Sequence, residues 1–243
     1  ILIFYYSLMF MKNISLLDVL FPKFCFNCRS VGAYICEPCK RTLIKTSHDI
    51  CPYCEKESGF GLTHGVCARL YGLDGMFNIF YYDDVFQNIL KAIKFRRIKG
   101  GVPALIDSIP KAFWNKLIAT SAIFYHDAEI IAVPLHTKRL RERGFNQSDS
   151  FAQACAIMLQ KNTTHILKRT RYTRPQSQLS SAAERYLNTH KAFAISQVEK
   201  LPKKVIIVDD VWTTGATIRE IAHTLKYAGV ERVYAITLAR RAH

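Results

Sequence analysis

Seven of the eight cysteines fall between positions 25 and 67, and six of those seven stand in Cys-x-x-Cys pairs. Cys25 and Cys28 are followed, after seven residues, by Cys36 and Cys39. Two thiolates separated by two residues can face one ion from a tight turn, so two such pairs offer four ligands to a tetrahedral zinc. A segment of ~45 residues rarely buries enough surface to fold unaided, and zinc supplies the missing stabilisation. The competing reading, structural disulfides, needs an oxidising compartment, and no secretory signal points to one.

A third pair, Cys51 and Cys54, is followed by Cys67, but the position that would complete a fourth pair is Leu70. His64 stands in His-x-x-Cys spacing to Cys67, and neutral imidazole is an ordinary zinc ligand, so Cys51, Cys54, His64 and Cys67 form a candidate Cys3His site. His48 is the rival fourth ligand, and a half held by packing alone is the remaining reading, so one or two Zn2+ ions are expected. Cys155 shares a helical face with Phe151, Met158 and Leu159 and reads as a core thiol.

Charge divides the chain differently. Through Asp74 there are 8 basic and 6 acidic residues, and beyond it 26 and 13, so nearly all of the formal +15 lies in the larger part. That excess predicts affinity for polyanions, with nucleic acid or a phosphate-rich ligand first. The expected organisation is an N-terminal extension with a short helix (1–20), a Cys-rich zinc-ribbon domain (21–73) and a basic domain (75–243). The opening ILIFYYSLMF is too short to span a bilayer and lacks a basic start or cleavage site, so neither a transmembrane helix nor a signal peptide is expected. Met9 or Met11 is a candidate initiator, and a peripheral membrane anchor is the minor alternative.

Strand and helix signals alternate along the basic part, as in an α/β fold with a mostly parallel sheet. Strands are expected at 76–82, 129–133, 165–167, 203–208 and 233–239, and helices at 147–160 and 216–228, the last stopped by Gly229. In DDVFQNILKAIKF, Val85, Phe86, Ile89, Leu90 and Ile93 share one helical face behind an Asp cap, with Lys91, Lys94, Arg96 and Arg97 around it. Segments 139–148 and 169–181 are basic, poor in periodicity and read as functional loops or as ordinary solvated connections.

The densest chemistry is VIIVDDVWTTGAT at 205–217. Ligands of open α/β sheets bind beyond the carboxyl ends of strands, where Asp209 and Asp210 are expected. Thr213 to Thr217 then offers successive backbone N–H groups and three hydroxyls at a helix N-terminus, a phosphate cradle, with Gly215 permitting close approach. Adjacent carboxylates beside such a cradle repel an anion unless they face hydroxyl donors or Mg2+; a phosphorylated ribose satisfies both features. Neither GxxxxGK[ST] nor GxGxxG occurs, which disfavours P-loop NTPases and dinucleotide folds.

VIIVDDVWTTGAT resembles the signature of type I phosphoribosyltransferases, which bind 5-phosphoribosyl 1-pyrophosphate (PRPP). The resemblance implies a parallel sheet flanked by helices, with Asp209 and Asp210 on the ribose hydroxyls. It further implies that Val211, Trp212, Thr213, Thr214, Gly215, Ala216 and Thr217 hold the 5′-phosphate, with Mg2+ accompanying PRPP. Leu135, His136 and Thr137 would form the pyrophosphate loop. Residues 169–181 would close over the site, and Lys94, Arg139, Arg143, Arg169, Arg171 and Arg174 would be the pyrophosphate or DNA contacts. Arg139-x-x-x-Arg143-Gly144-Phe145-Asn146-Gln147, the PQSxLS run at 175–180 and the N-terminal cysteines together resemble the ComF/ComFC competence family from about Ile14 onward.

That resemblance implies a cytoplasmic protein, or one peripheral at the inner face of the membrane, that handles imported single-stranded DNA during natural transformation. Phe145, Tyr172, Tyr186 and Trp212 lie in or beside basic segments and are candidates either for base stacking or for the core. Two other readings stand beside it: an active phosphoribosyltransferase acting on an unknown acceptor, and a zinc-ribbon adaptor for a competence helicase or translocase.

Overall fold

The computed structural model describes residues 21–96, 98, 100–173 and 181–241. The expectations for residues 1–20, for Arg97, for Arg174 and for the PQSxLS run lie outside the described residues, as does the side chain of Tyr186.

Helix α1 (Glu37–Thr42) carries Cys39, and two 3-10 turns (Gly59–Gly61, Gly65–Cys67) lead to β1 (Gly75–Tyr81). Then follow α2 (Asp84–Arg96), α3 (Gly101–Ile106), α4 (Lys111–Phe124), β2 (Ala128–Ala132), α5 (Thr137–Arg143), α6 (Gln147–Leu159) and β3 (Leu167–Arg169). The chain continues through α7 (Ala182–Thr189), β4 (Phe193–Ile195), β5 (Lys204–Trp212), α8 (Ala216–Tyr227) and β6 (Arg232–Arg240).

The sheet runs β1-β6-β5-β2 with every pairing parallel, and β3 and β4 form a separate antiparallel pair. The expected α/β class with helices on both faces is therefore the observed one. Strand residues alternate between faces. Ile206, Val208, Tyr234 and Ile236 join a core with Phe86, Ile89 and Ile93 of α2, Leu117 of α4, and Phe151 and Cys155 of α6. Val205, Ile207, Val233 and Ala235 pack instead on Ile218, Ile221 and Leu225 of α8. Cys155 is a fully buried core thiol, as its helical face predicts. The cysteine-bearing segment feeds both cores, with Cys25, Phe26, Ile35 and Cys39 on the α2 side and Ile50, Leu73 and Tyr53 on the α8 side.

Three local expectations are corrected. Segment 139–148 is no loop: α5 ends at Gly144, in the left-handed region (φ 76°), and Asn146 caps α6 by accepting from Ser148 N. A glycine and an asparagine cut one helical stretch into two and hide its periodicity. The strand expected to stop at 208 continues to Trp212, because β6 pairs alongside it up to Trp212↔Arg240. The strand expected at 165–167 lies at Leu167–Arg169, where its partner Phe193–Ile195 runs opposite; three residues hold too few alternations to set a boundary.

Candidate functional site

Pairing of β2 with β5 ends at Ala132↔Val208, whereas β6 accompanies β5 four residues further. The acid pair thus sits on the part of β5 that has lost one neighbour, and the N-terminus of α6 fills the gap. The expected position beyond the strand end is refined: Asp209 and Asp210 lie within β5 but past the end of β2. Asn146 Nδ2 donates to Val133 O at 3.1 Å and to Asp149 Oδ1 at 3.0 Å, tying the loop after β2 to α6. Ser148 Oγ donates to Asp209 Oδ1 (3.0 Å), and Gln147 Nε2 donates to Asp210 Oδ2 (2.6 Å). Lys94, from the basic side of α2, pairs with Asp210 Oδ2 at 2.6 Å. A lysine expected as a pyrophosphate or DNA contact therefore serves, in this structure, as counter-ion to the acid pair.

The two carboxylates differ. Burial raises the Asp209 carboxyl, and the neighbouring Asp210 charge raises it further, to about 7. Burial also acts upward on Asp210, but the Lys94 charge and the hydrogen bonds from Lys94 and Gln147 outweigh it and hold Asp210 lowered and ionised. One group poised near neutrality beside one fixed anion suits a site that takes up a cation with an anionic ligand. Asp209 thereby favours the folded state most below the ordinary carboxylate range, and that contribution is lost as pH rises through about 7. Asp209→Asn should abolish a decline in stability between pH 4 and pH 7, read as urea midpoints across that window.

Around the acids lies a cavity of about 450 Å³. It is lined by Arg139, Arg143, Arg169, Gln147 and Ser148, by Asp209, Asp210, Val211, Thr213 and Thr217, and by Tyr82, Leu90, Lys91, Lys94, Phe95 and Arg241, whereas Thr214, Gly215 and Ala216 do not line it. Arg139 is buried and donates from Nη2 to Thr173 O at 2.6 Å, and Arg143 Nη1 reaches Gln147 Oε1 at 3.4 Å. Burial lowers Arg169 to about 10, and the like charges of Arg139 and Arg143 add to it. Crowded, partly desolvated guanidinium groups are relieved by an anion.

Val211 and Trp212 close β5, and Thr213 to Gly215 turn the chain into α8. Gly215 is left-handed (φ 71°), and a Cβ there would stand 2.4 Å from the Trp212 ring. Trp212 is 1% exposed, so its side chain belongs to the core and the stacking reading for it is withdrawn. The Thr214 hydroxyl is buried without a partner, an orphan that an anionic ligand would satisfy. Gly215→Ala should lose about 1–3 kcal/mol, as strain and ring clash coincide, measured by urea unfolding.

The other expected residues are distributed unevenly. Leu135 lines the cavity; His136 caps α5 through Nδ1, accepting from Lys138 N, and meets the edge of Tyr172; Thr137 opens α5 and is exposed. Arg171 donates to the carbonyls of Leu187 and Asn188 and does not line the cavity. Phe145 packs against the α2-side core, whereas Tyr172 is 46% exposed at the cavity with Lys138 and Arg139 over its ring.

Two donor clusters stand apart from the cavity. Cys25, Cys28, Cys36 and Cys39 have their sulfurs within 4.8 Å of one another, and so do the ligand atoms of Cys51, Cys54, His64 and Cys67. The edge of a tetrahedron with 2.3 Å metal–sulfur bonds is about 3.8 Å, and Cys28 Sγ lies 3.5 Å from Cys36 Sγ. In the second cluster His64 Nε2 donates to Glu57 O at 3.1 Å, which turns Nδ1 towards Cys54 Sγ at 3.3 Å. That outer hydrogen bond selects the tautomer a metal needs. His48 instead contacts Ser47 Oγ, and Leu70 is 80% exposed. Either cluster could hold a metal ion.

Residues 148–243 match the family described as the phosphoribosyl transferase domain. Over 237 residues the chain is 30% identical to Competence protein F of Haemophilus influenzae, covering 89% of this chain and 96% of that protein. The chain belongs to the ComF/ComFC family. Similarity extends to Competence protein ComFC of Streptococcus pneumoniae, 26% identical with 89% and 87% of the two chains covered. It extends also to the DNA utilization protein YhgH of Escherichia coli K12, 29% identical with 90% and 97% covered.

Within this ComF/ComFC chain Lys94 was among the residues expected at the site, whereas Gln147 and Ser148 were given no role beside the acid pair. Gln147 closes the Arg-Gly-Phe-Asn-Gln motif and Ser148 follows it, so the motif itself marked them; only the fold shows that α6 begins against β5. Tyr82 and Arg241, at the carboxyl ends of β1 and β6, carry no local signal at all. Among the described residues no helix is long and apolar enough to cross a membrane.

Proposed function

We propose that the cavity over the carboxyl end of β5 binds PRPP with Mg2+, and that the protein serves DNA uptake or utilisation through this site and an adjoining basic surface. The observation that carries the proposal is one cavity lined by the acid pair together with Arg139, Arg143 and Arg169 and by Thr213 and Thr217 of the following loop. Asp209 and Asp210 are the groups to receive ribose hydroxyls and the Mg2+ that charge-balances the ligand. The Thr213, Thr214 and Thr217 hydroxyls with the backbone N–H groups at the start of α8 suit the 5′-phosphate. The guanidinium wall suits pyrophosphate oxygens, which take paired N–H donors. On this reading Lys94 leaves Asp210 when the cation enters. The organisation proposed is a metal-ribbon unit over 21–73 and a transferase-fold unit over 75–243, with Zn2+ in both donor clusters.

Isothermal titration with PRPP tests the site directly: binding that requires Mg2+ is expected, and silence with Mg2+ present would reject it. Because the ionised form of Asp209 is the better ligand, affinity should rise from pH 6 to pH 8 and level off above, with proton release seen as a heat that varies with buffer ionisation.

The names of the relatives and the excess positive charge beyond Asp74 support DNA as a partner, which we take to be single-stranded. Tyr172, exposed beneath Lys138 and Arg139, is the aromatic best placed to stack a base. If ~5 phosphates are neutralised, log K should fall against log salt with a slope of about −3.5, and Tyr172→Ala should weaken binding without altering that slope. A salt-independent complex would overturn the assignment.

Turnover is a second reading, favoured by the apolar part of the cavity lining. Tyr82, Leu90 and Phe95 line the same cavity as the acid pair and offer an acceptor an apolar surface. Pyrophosphate release with a nucleobase or amine, lost on Asp210→Asn, would establish transfer; a silent acceptor panel would leave a binding protein.

A further inference from the structure

The cysteine knuckle at 51–54 and the Thr213–Thr217 loop are joined by one side chain that neither the cavity nor the donor clusters include. Arg219 lies in the first turn of α8, its backbone N donating to Gly215 O at 2.8 Å. Its Nη2 donates to the carbonyl of Pro52, between Cys51 and Tyr53, at 2.5 Å. The guanidinium carbon stands 5.2 Å from the ring centre of Tyr53 and 5.2 Å from that of Trp212. The Arg219 Nε is buried without a partner, as is the Trp212 Nε1, so this packing holds the cation by two rings and one carbonyl.

Both ends of the contact are stiff. The Tyr53 hydroxyl accepts from Leu73 N at 2.8 Å, and Gly72 approaches so closely that a Cβ would lie 2.2 Å from that oxygen. At the other end the Trp212 ring packs directly beneath Gly215, where a Cβ would stand 2.4 Å from it. A shift of the knuckle therefore moves the guanidinium, the guanidinium moves the indole, and the indole moves the loop.

We infer that Arg219 is a positioning residue that couples metal occupancy of Cys51, Cys54, His64 and Cys67 to the shape of the phosphate loop. The inference rests on the proposed phosphate role of that loop and specifies what regulates it. Pro52 and Tyr53 lie between two of the four donors, so a metal ion that closes the Cys51–Cys54 turn fixes the carbonyl and the ring that Arg219 grips. With the donors unbridged, the grip loosens and the loop loses its template. Coupling of this kind is reciprocal: whatever factor the metal adds to phosphate affinity, the phosphate ligand adds to metal affinity.

The test is a double-mutant cycle on the full chain with His64→Ala and Arg219→Met, folding being checked by circular dichroism. His64→Ala alone should weaken Mg2+–PRPP binding about tenfold, Arg219→Met alone by a similar factor, and the two together by no more than either. Additive losses would overturn the coupling. On the unsubstituted chain, saturating Mg2+–PRPP should raise zinc affinity at Cys51, Cys54, His64 and Cys67 by the same tenfold in competition with a chelating dye; an unchanged zinc affinity would also overturn it.

A third readout needs no PRPP. Trp114 and Trp212 are the two tryptophans. In a Trp114→Phe background, adding zinc to the stripped protein should shift the emission of Trp212, and should not do so once Arg219 is Met. If the wild type binds no Mg2+–PRPP, the proposed function fails on its own, while an emission that ignores zinc refutes the Arg219 contact.

Discussion

Asp210→Asn should lower the affinity for Mg2+–PRPP by at least about 100-fold, equivalent to about 2.7 kcal/mol, at every pH from 6 to 8. Asp210 is the carboxylate held ionised, with Lys94 and Gln147 both on its Oδ2. Removing its charge leaves the half-buried Lys94 ammonium beside a neutral amide and deprives the cation of its nearest counter-charge; breaking such a pair costs more than the pair contributes. Asp209→Asn should behave differently. Asp209 carries its proton through much of the range below about 7, so the amide should resemble wild type near pH 6 and fall behind by about tenfold at pH 8, where each pH unit of lost ionisation is worth one decade. Titration calorimetry of both variants at pH 6 and pH 8 separates the two roles. Equal losses at both pH values would show that the carboxylates act as one symmetric pair.

Removing metal should produce the second large effect. A structural zinc contributes on the order of 10 kcal/mol to small sites, and residues 21–73 contribute Cys25, Phe26, Ile35, Cys39 and Leu43 to one core and Ile50 and Leu73 to the other. Chelation at neutral pH should therefore lower the melting temperature by more than about 10 °C, on the scale of 2–4 °C per kcal/mol for a chain of this size. Two zinc ions per chain are expected by elemental analysis, and Cys28→Ser should retain one. A single zinc in the unsubstituted protein, lost on Cys28→Ser, would leave the second cluster to packing alone. Because that cluster is the one joined through Arg219 to Trp212, its metal content bears on ligand binding as well as on stability.

Local chemistry was the most legible part of the sequence. Thiolate pairs separated by two residues converge through their own turns, and a Thr-rich run with Gly215 leads straight into an amphipathic helix. The apolar strands at 205–208 and 233–239 and the amphipathic helix behind Asp83 announced the α/β class, and Asp83 Oδ1 does accept from Phe86 N at 2.8 Å. Cys155 was legible for the same reason, since a helical face can be counted along the chain.

Juxtaposition was not legible. The strand expected to end at Val208 continues because β6 keeps pairing with it, a fact about a segment about 30 residues further on. Lys94 reads in sequence as one of several cations on a basic helix, and becomes the partner of Asp210 only when α2 packs beside β5. Trp212 reads equally as a stacking ring or a core ring, and the packing of α8 and Arg219 decides for the core. By itself the sequence determined the convergence of the cysteine pairs and the fold class, because each depends on residues within a few turns of one another. The tertiary structure alone decided which acid stays charged, which arginines reach the cavity and how a cysteine knuckle touches the loop, because burial and Coulomb interactions act between groups the chain brings together from far apart.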